Sequence, residues 1–186
     1  DGARDLLAGM AGVRASTIAA ADMAASARKA GQELATQVRR LVNAGAKHVV
    51  VTGTYDLGKT PWATAISQTS LLNDASSRFN EGLLVNIVDL GANVLYVDAA
   101  YYVNLYTSSP GSYSFDNATT PVCTSVDAGN GIGIGTGQVN SALCTTATLL
   151  PSANQNKYVF ADAVYLTPSA HRQLGDYAYD RLRARW

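Results

Sequence analysis

Apolar residues recur at helical spacing in two long segments of the chain. The first runs from about residue 11 to Asn43, is rich in Ala, and ends before Gly45. Its apolar stripe has the spacing i, i+4, i+7 and i+8 and consists of Leu34, Val38, Leu41 and Val42. The second segment runs from about residue 71 to Val88 and ends before Gly91. Both patterns predict amphipathic helices that bury one face.

Three short runs of β-branched and aromatic residues lie at 48–52, 93–98 and 158–161. The first two are almost continuously apolar, which is typical of strands buried on both faces of a parallel sheet. Shorter helices are predicted from about 99 to 106 and from Pro168 to about 185, the latter with Thr167 as its N-cap. This alternation predicts an α/β domain whose crossovers lie on the faces of a parallel sheet.

The connection at about 111–156 is too long to be an ordinary loop. It is rich in Gly, Ser, Thr and Asn, and every second residue from Gly129 to Gly137 is glycine. We expect this segment to form a flap or lid on a single domain that comprises residues 1–186. The glycine run lacks the Lys-Ser/Thr of a phosphate-binding loop and has no strand before it or helix after it, so we interpret it as a flexible surface loop.

Composition and charge exclude two classes of function. The 186 residues include 14 Lys and Arg against 14 Asp and Glu, for a formal net charge of +0. This balance gives no electrostatic reason to expect nucleic acid as a partner. No apolar run approaches the roughly 20 residues of a membrane helix, so we expect no membrane span.

The chain begins at Asp1 without an initiator Met or a signal-peptide pattern, and we expect it to be part of a longer protein.

Cys123 and Cys144 are the only cysteines, and both lie in the long connection. No His or further Cys stands near them to complete a metal site, and we predict neither a metal nor a cofactor. We expect a disulfide between them, which would place the protein in an oxidising compartment, that is, secreted, periplasmic or at the cell surface. Two free thiols in a cytosolic protein are the alternative.

The candidate catalytic residues stand at the ends of the predicted strands. Asp162 directly follows the third strand, and in open α/β sheets ligand sites collect at the carboxyl ends of strands, so it is the best candidate for an active-site acid. Asp56 and Asp98 hold similar positions, although an Asp there is often only a cap. His48, at the head of a strand, is interpreted as structural. His171, in the first turn of the last helix, lies either on the helix surface or in a cleft.

Several motifs follow one another along nearly the whole chain. They are Gly2-Ala3-Arg4-Asp5-Leu6-Leu7, Gly45 to Val51 leading to Asp56-Leu57-Gly58-Lys59-Thr60-Pro61, Phe79-Asn80-Glu81-Gly82-Leu83, Tyr113 to Cys123, and Tyr158 to Arg172. In this order they resemble the GDSL or SGNH hydrolases, in particular the secreted and autotransporter-type bacterial lipases and esterases. The resemblance implies a three-layer α/β sandwich with a central parallel sheet, here without its N-terminal part, and it implies ester hydrolysis.

The resemblance also implies a set of site residues, from which this sequence departs. The family uses a Ser in a Gly-Asp-Ser-Leu block, a Gly and an Asn that donate to the oxyanion, and a His three residues after an Asp. Asp162 matches that Asp, but no Gly-Asp-Ser-Leu occurs, Arg4 stands at the Asn position and Tyr165 at the His position. Tyr, with an ordinary pKa of about 10, is a poor base near neutral pH. His171 is the remaining candidate base.

Two functions follow from this resemblance and its departures. The first is an ester hydrolase domain, acting on a small ester, that is inactive as this chain alone. The second is a catalytically dead pseudo-hydrolase that binds a glycan, a polymer or a copy of itself. In that case Arg4 and Tyr165 would line the old cleft and hold a carboxylate or another anion. An N-terminal segment of the same protein or a second chain is the expected partner, because an unpaired sheet would leave an apolar edge.

Overall fold

Helices form the first half of the fold, and they pack mainly on one another. The computed structural model describes residues 2–186. The helices of this half are α1 at Gly2–Arg14, α2 at Ala20–Asn43, the short α3 at Pro61–Ala65 and α4 at Thr69–Val85. α2 packs along α4, and α1 packs against both.

The predicted start of the first long helix at residue 11 is wrong. Residues 15–19 separate α1 from α2, and the motif that contains Arg4 lies in α1. The backbone turns at Ser16, which has a φ of 57°. The backbone N–H of Thr17 donates to the carbonyl of Gly12 at 2.9 Å, and its hydroxyl donates to the same oxygen at 3.1 Å. These bonds satisfy a carbonyl at the end of α1 and stop the helix within an Ala-rich stretch that would otherwise continue it.

Two glycines allow α2 and α4 to approach closely. A Cβ on Gly31 would overlap the carbonyl oxygen of Phe79, and a Cβ on Gly82 would overlap that of Arg28. Each helix therefore contributes one glycine at the point where its backbone meets the other. An ion pair between Arg39 and Asp89 closes the far end of this contact.

The sheet is parallel, as predicted. β1 at Val49–Thr52 pairs with β2 at Val94–Val97, and Val49 lies opposite Val94. Val51 and Val94 are buried against the helices. The expectation that β1 is buried on both faces is wrong, because Val50 on its other face is 45% exposed. Within residues 2–186 no further strand pairs with β1.

The predicted third strand at 158–161 is extended but does not join this sheet. It forms only isolated bridges, between Asn117 and Tyr158 and between Phe160 and Leu166. Its peptide groups pair with the long connection instead, since the backbone N–H of Val122 donates to the carbonyl of Phe160 at 3.1 Å. Backbone groups of the long connection, and of Tyr165 and Thr167 just beyond the segment, thus take the hydrogen bonds that a sheet neighbour would have made.

Two further helices cover the other part of the molecule. They are α5 at Ala99–Ser108 and α6 at Pro168–Arg185, and α6 packs against β2 and α5. The residues predicted to face inward from α6 are only half-buried; they are Leu174, Tyr177 and Leu182. At the end of α6 the ring of Trp186 stacks on His48 with ring centroids 4.3 Å apart. Its indole Nε1 donates to the carbonyl of Ala92 at 3.3 Å.

Residues 111–156, hereafter the flap, are closed by the predicted disulfide. Cys123 and Cys144 are joined with their Cα atoms 5.9 Å apart. Between them, β3 at Val126–Asp127 and β4 at Gln138–Val139 form a short antiparallel hairpin.

The glycine run at the tip of this hairpin is more than a flexible surface loop. The Asp127 carboxylate accepts hydrogen bonds from the backbone N–H groups of Gly129 at 2.8 Å and Gly131 at 3.2 Å. Ile132 and Ile134 are buried in the main core. The sequence interpretation was wrong here because the two isoleucines of the run pack against α1 and the helices around it.

None of the helices between residues 2 and 186 is both long and apolar enough to cross a membrane.

Candidate functional site

The carboxylate of Asp162 is completely buried and is held by three backbone donors. Its Oδ1 accepts from the N–H groups of Val164 at 2.8 Å and Tyr165 at 2.7 Å. Its Oδ2 accepts from the N–H of Ser141, in the flap, at 2.9 Å. Asp162 therefore fixes the turn at 162–165 and fastens the flap to it. Charge-assisted bonds of this kind are stronger than neutral ones.

Tyr55 joins this cluster from the loop that follows β1, and sequence reasoning missed it. Its phenol is buried and donates to the carbonyl of Val164 at 2.7 Å. Burial raises the pKa of Tyr55 far above its usual value, and the neighbouring Tyr165 and Asp162 raise it further. The hydroxyl of Tyr55 is thus a permanent donor near neutral pH. No motif signals this role, because Tyr55 reaches Val164 only through the tertiary fold.

Tyr165 and Arg4 occupy different positions relative to the core. Tyr165 is half-buried and packs against the main core, as do Ala3 and Leu6 on the inner side of α1. Arg4 lies on the exposed side of the same helix. Among residues 2–186, no hydrogen bond joins its guanidinium to Tyr165. The shared anion site stays a prediction.

The two histidines make contacts other than a hydrogen bond to the Asp162 carboxylate. His171 sits in the first turn of α6, which Thr167 caps by accepting from the N–H of Ala170 at 3.2 Å. Burial lowers the pKa of His171 below its usual 6.5. His48 is occupied by its stack on Trp186. Within the described part of the chain, neither imidazole is hydrogen-bonded to Asp162.

The other two strand-end carboxylates are caps. Asp56 accepts from the N–H of Gly58 at 2.8 Å and from the side-chain amide of Asn73 at 2.6 Å. Asp98 accepts from the N–H of Tyr101 at 2.9 Å at the start of α5. Both positions follow the general preference for Asp at helix starts. In residues 2–186 no three His, Cys, Asp or Glu side chains cluster in a way that could hold a metal ion.

A cavity of about 420 Å³ lies between the flap and the start of α6. Its polar wall includes Ser141, Thr145, Gln155 and His171, and its apolar wall includes Leu149. His171 is therefore the cleft-lining residue that one of the two sequence interpretations expected. Sequence reasoning missed the other wall residues, because they come from separate turns of the flap and share no spacing.

Comparison with known proteins agrees with the α/β fold. The profile of the GDSL-like lipase/acylhydrolase family matches residues 5–178. The chain belongs to this family. A GDSL esterase/lipase of Arabidopsis thaliana is 27% identical over 161 residues. A protein of Pseudomonas putida, described only by its place between the genes trpE and trpG, is 27% identical over 162 residues.

This GDSL-family chain covers only part of these relatives. The aligned part is 80% of the chain and 41% of the Arabidopsis protein. For the Pseudomonas protein it is 87% of the chain and 26% of the relative. The activity of a whole GDSL protein is therefore a separate question from the chemistry of these 186 residues.

Proposed function

We propose that this chain is the part of a GDSL-type carboxylic ester hydrolase that carries the acid Asp162 and the flap, and that it does not hydrolyse esters unaided. The observation that carries this proposal is the bonding of Asp162. Three backbone N–H groups hold its carboxylate, and within residues 2–186 no histidine is hydrogen-bonded to it. Acyl transfer of the Ser-His-Asp type needs a His between the acid and the nucleophile.

The residue three positions after Asp162 supports the same proposal. Tyr165 stands there, so no imidazole occupies the position from which the family's histidine acts as general base. Tyr55 places a second phenol beside the same turn, and burial raises the pKa of that phenol. The turn at 162–165 thus presents the phenol groups of Tyr165 and Tyr55. An esterase of this family presents a histidine there, which accepts the proton of the nucleophilic serine.

A serine-directed probe tests the proposal. We expect no stoichiometric labelling of the folded chain by a fluorophosphonate and no hydrolysis of p-nitrophenyl butyrate above buffer. Tyr165→His supplies an imidazole beside Asp162 and should still give no turnover, because an activated serine is also needed. Labelling of one serine of the unmodified chain that disappears in Asp162→Asn would contradict the proposal.

A second candidate function, assembly through the sheet, is favoured by the open edge of β1. The N–H of Val49 donates to Asn93 and that of Gly53 donates to Val97, so the peptide groups of Val50 and Thr52 point away from β2. Such an edge, with the apolar Val50 beside it, is a template for another strand. The partner is a strand from another segment of the same protein or from a second chain.

Sedimentation of the chain at increasing concentration tests this second function. We expect association that weakens in Val50→Lys, because a charge beside a strand edge opposes pairing. Val85→Lys is the matched control, since Val85 is 59% exposed on α4 and away from the edge. A chain that stays monomeric throughout, or equal association in both variants, would argue against assembly between copies of this chain through the edge of β1.

We place the protein outside the reducing cytosol, in a secreted, periplasmic or cell-surface location. The disulfide between Cys123 and Cys144 supports this location, because such bonds persist in oxidising compartments. Protein isolated under alkylating conditions should react with maleimide only after reduction. Two reactive thiols in the freshly isolated native protein would contradict the proposed location.

A further inference from the structure

The cavity under the flap is lined by polar side chains that have no partner within the protein. Ser141, Gln155 and His171 line it, and none of their side chains is hydrogen-bonded to another described residue. Side chains that make no internal bond are free to bind a ligand. Their convergence on one cavity, from two turns of the flap and from α6, is typical of a binding site.

The same cavity has an apolar wall. Val122, Leu149 and Leu166 contribute to it, together with Ala161 and Pro168. At about 420 Å³ the volume lies within the range of small-molecule sites. An apolar group of a ligand would lose its contact with water here, which favours binding in proportion to the area buried.

The charge of the lining restricts the chemistry of the ligand. Among the described residues that line the cavity there is no Asp, Glu, Lys or Arg. An ionic ligand would lose hydration without gaining a counter-charge, which is costly. The one ionisable group is His171, whose lowered pKa keeps it neutral near pH 7, with one donor nitrogen and one acceptor nitrogen.

We infer that the cavity between the flap and the start of α6 binds a small uncharged molecule that combines hydroxyl groups with an apolar group. Its hydroxyls would exchange hydrogen bonds with Ser141, Gln155 and His171, and its apolar group would lie on Leu149. The inference does not depend on ester hydrolysis, because none of these side chains takes part in the bonds that hold Asp162. The disulfide forms part of the wall through Cys144.

Calorimetric titration of the intact chain with three probes of one chain length tests the inference. The probes are hexyl β-D-glucoside, hexanoate and hexylammonium. We expect saturable binding of the glucoside and at least about 10-fold weaker binding of either ion, since neither finds a counter-charge. The NMR signal of the His171 imidazole should shift with glucoside only. Equal or tighter binding of hexanoate would overturn the inference, and so would a glucoside titration without saturation.

Two flap variants localise the binding. Leu149→Trp fills the cavity and should weaken glucoside binding at least about 10-fold. Leu143→Trp is the matched control, because Leu143 is 50% exposed on the same flap and does not line the cavity. Unchanged binding in Leu149→Trp, or equal loss in both variants, would overturn the inference.

A third variant keeps the test decisive if Leu149→Trp fails to fold. Ser141→Ala removes one hydroxyl and leaves the backbone bond from Ser141 to Asp162 in place. We expect roughly 2- to 10-fold weaker glucoside binding, the usual effect of one hydrogen bond. Unchanged affinity in Ser141→Ala together with an unshifted His171 signal would place the glucoside elsewhere and overturn the inference.

Discussion

The buried carboxylate of Asp162 accepts a hydrogen bond of 2.9 Å from the backbone N–H of Ser141, although the two residues are 21 positions apart. This single bond connects the flap to the turn that follows the extended segment 158–161. The same carboxylate holds the N–H groups of Val164 and Tyr165. An acid that the sequence suggests for catalysis therefore also has a structural task.

Replacing Asp162 should cost stability as well as any activity. In Asp162→Ala three N–H groups lose their acceptor, and we expect a loss of roughly 3 kcal/mol or more in the free energy of unfolding. Asp162→Asn keeps a carbonyl oxygen for Val164 and Tyr165 but loses the acceptor for Ser141, so its loss should be smaller. Urea denaturation measures both, and amide exchange at Ser141 should rise in each. Wild-type stability of Asp162→Ala would refute the structural role.

The helix crossing of α2 and α4 predicts a large effect from a small substitution. Gly31→Ala and Gly82→Ala each place a methyl group against a backbone carbonyl of the other helix. We expect each to lower the free energy of unfolding by about 1–3 kcal/mol, the usual cost of overpacking.

Gly175→Ala is the matched control for this crossing. Gly175 lies within α6, and a Cβ there would meet nothing within 4 Å. We expect Gly175→Ala to leave stability unchanged or raise it by up to about 1 kcal/mol, because Ala favours helix over Gly. Urea denaturation compares the three variants. Equal effects at all three positions would show that helix propensity, and not the crossing, decides the result.

The disulfide should contribute to stability through the loop that it closes. Cys123 and Cys144 are separated by 21 positions, and a loop of that size corresponds to about 3 kcal/mol in the chain-entropy estimate. The double variant Cys123→Ala with Cys144→Ala should lose about that much in urea denaturation. Reducing agent should destabilise the wild type and leave the double variant unaffected. A reduced wild type as stable as the oxidised protein would contradict this account.

The pKa of His171 predicts a dependence of stability on pH. Burial lowers this pKa below 6.5, so the unfolded chain binds the proton more tightly than the folded chain does. The contribution of His171 to the free energy of unfolding is therefore fully present above pH 6.5. It is lost as the pH falls from there through the lower pKa of the folded state.

Urea midpoints between about pH 7.5 and 5.5 measure this contribution, because most carboxylates stay ionised in that range. His171→Gln should remove the slope that comes from His171 and leave the rest of the pH dependence in place. Identical slopes in the two proteins would mean that His171 titrates as it does in the unfolded chain.

The parts of the fold that sequence predicts are those with a local signal. β1 and β2 follow from two apolar β-branched runs, and α6 follows from its Thr167 cap and Pro168. The segment 158–161 has the same β signal, but its hydrogen bonds go to the flap, which depends on long-range contacts. α1 and the turn at Ser16 are missed because an Ala- and Gly-rich stretch carries too weak a pattern to locate a break.

The candidate site divides in the same way. Asp162 is predicted because its place after an extended segment is visible in the sequence, and the pairing of Cys123 with Cys144 is predicted because no other cysteine competes. Tyr55 and Ser141 reach Asp162 and its turn from distant parts of the chain. Their roles depend on the tertiary contacts that bring these segments to the turn at 162–165, and residue spacing in the sequence does not predict such contacts.

The hairpin of the flap is held in shape by the carboxylate of Asp127, which lies within the loop closed by the disulfide between Cys123 and Cys144. Hydrogen bonds from Asn140 and from the N–H groups of Gly129 and Gly131 lower the pKa of Asp127. These bonds hold the hairpin tip fully when the pH is above the usual pKa of Asp, and they weaken as the pH falls through the lowered pKa and the carboxylate is protonated. Because the disulfide encloses the hairpin, its ends stay together when the tip loosens. A protease that cuts the loosened tip would leave two fragments that separate only after reduction.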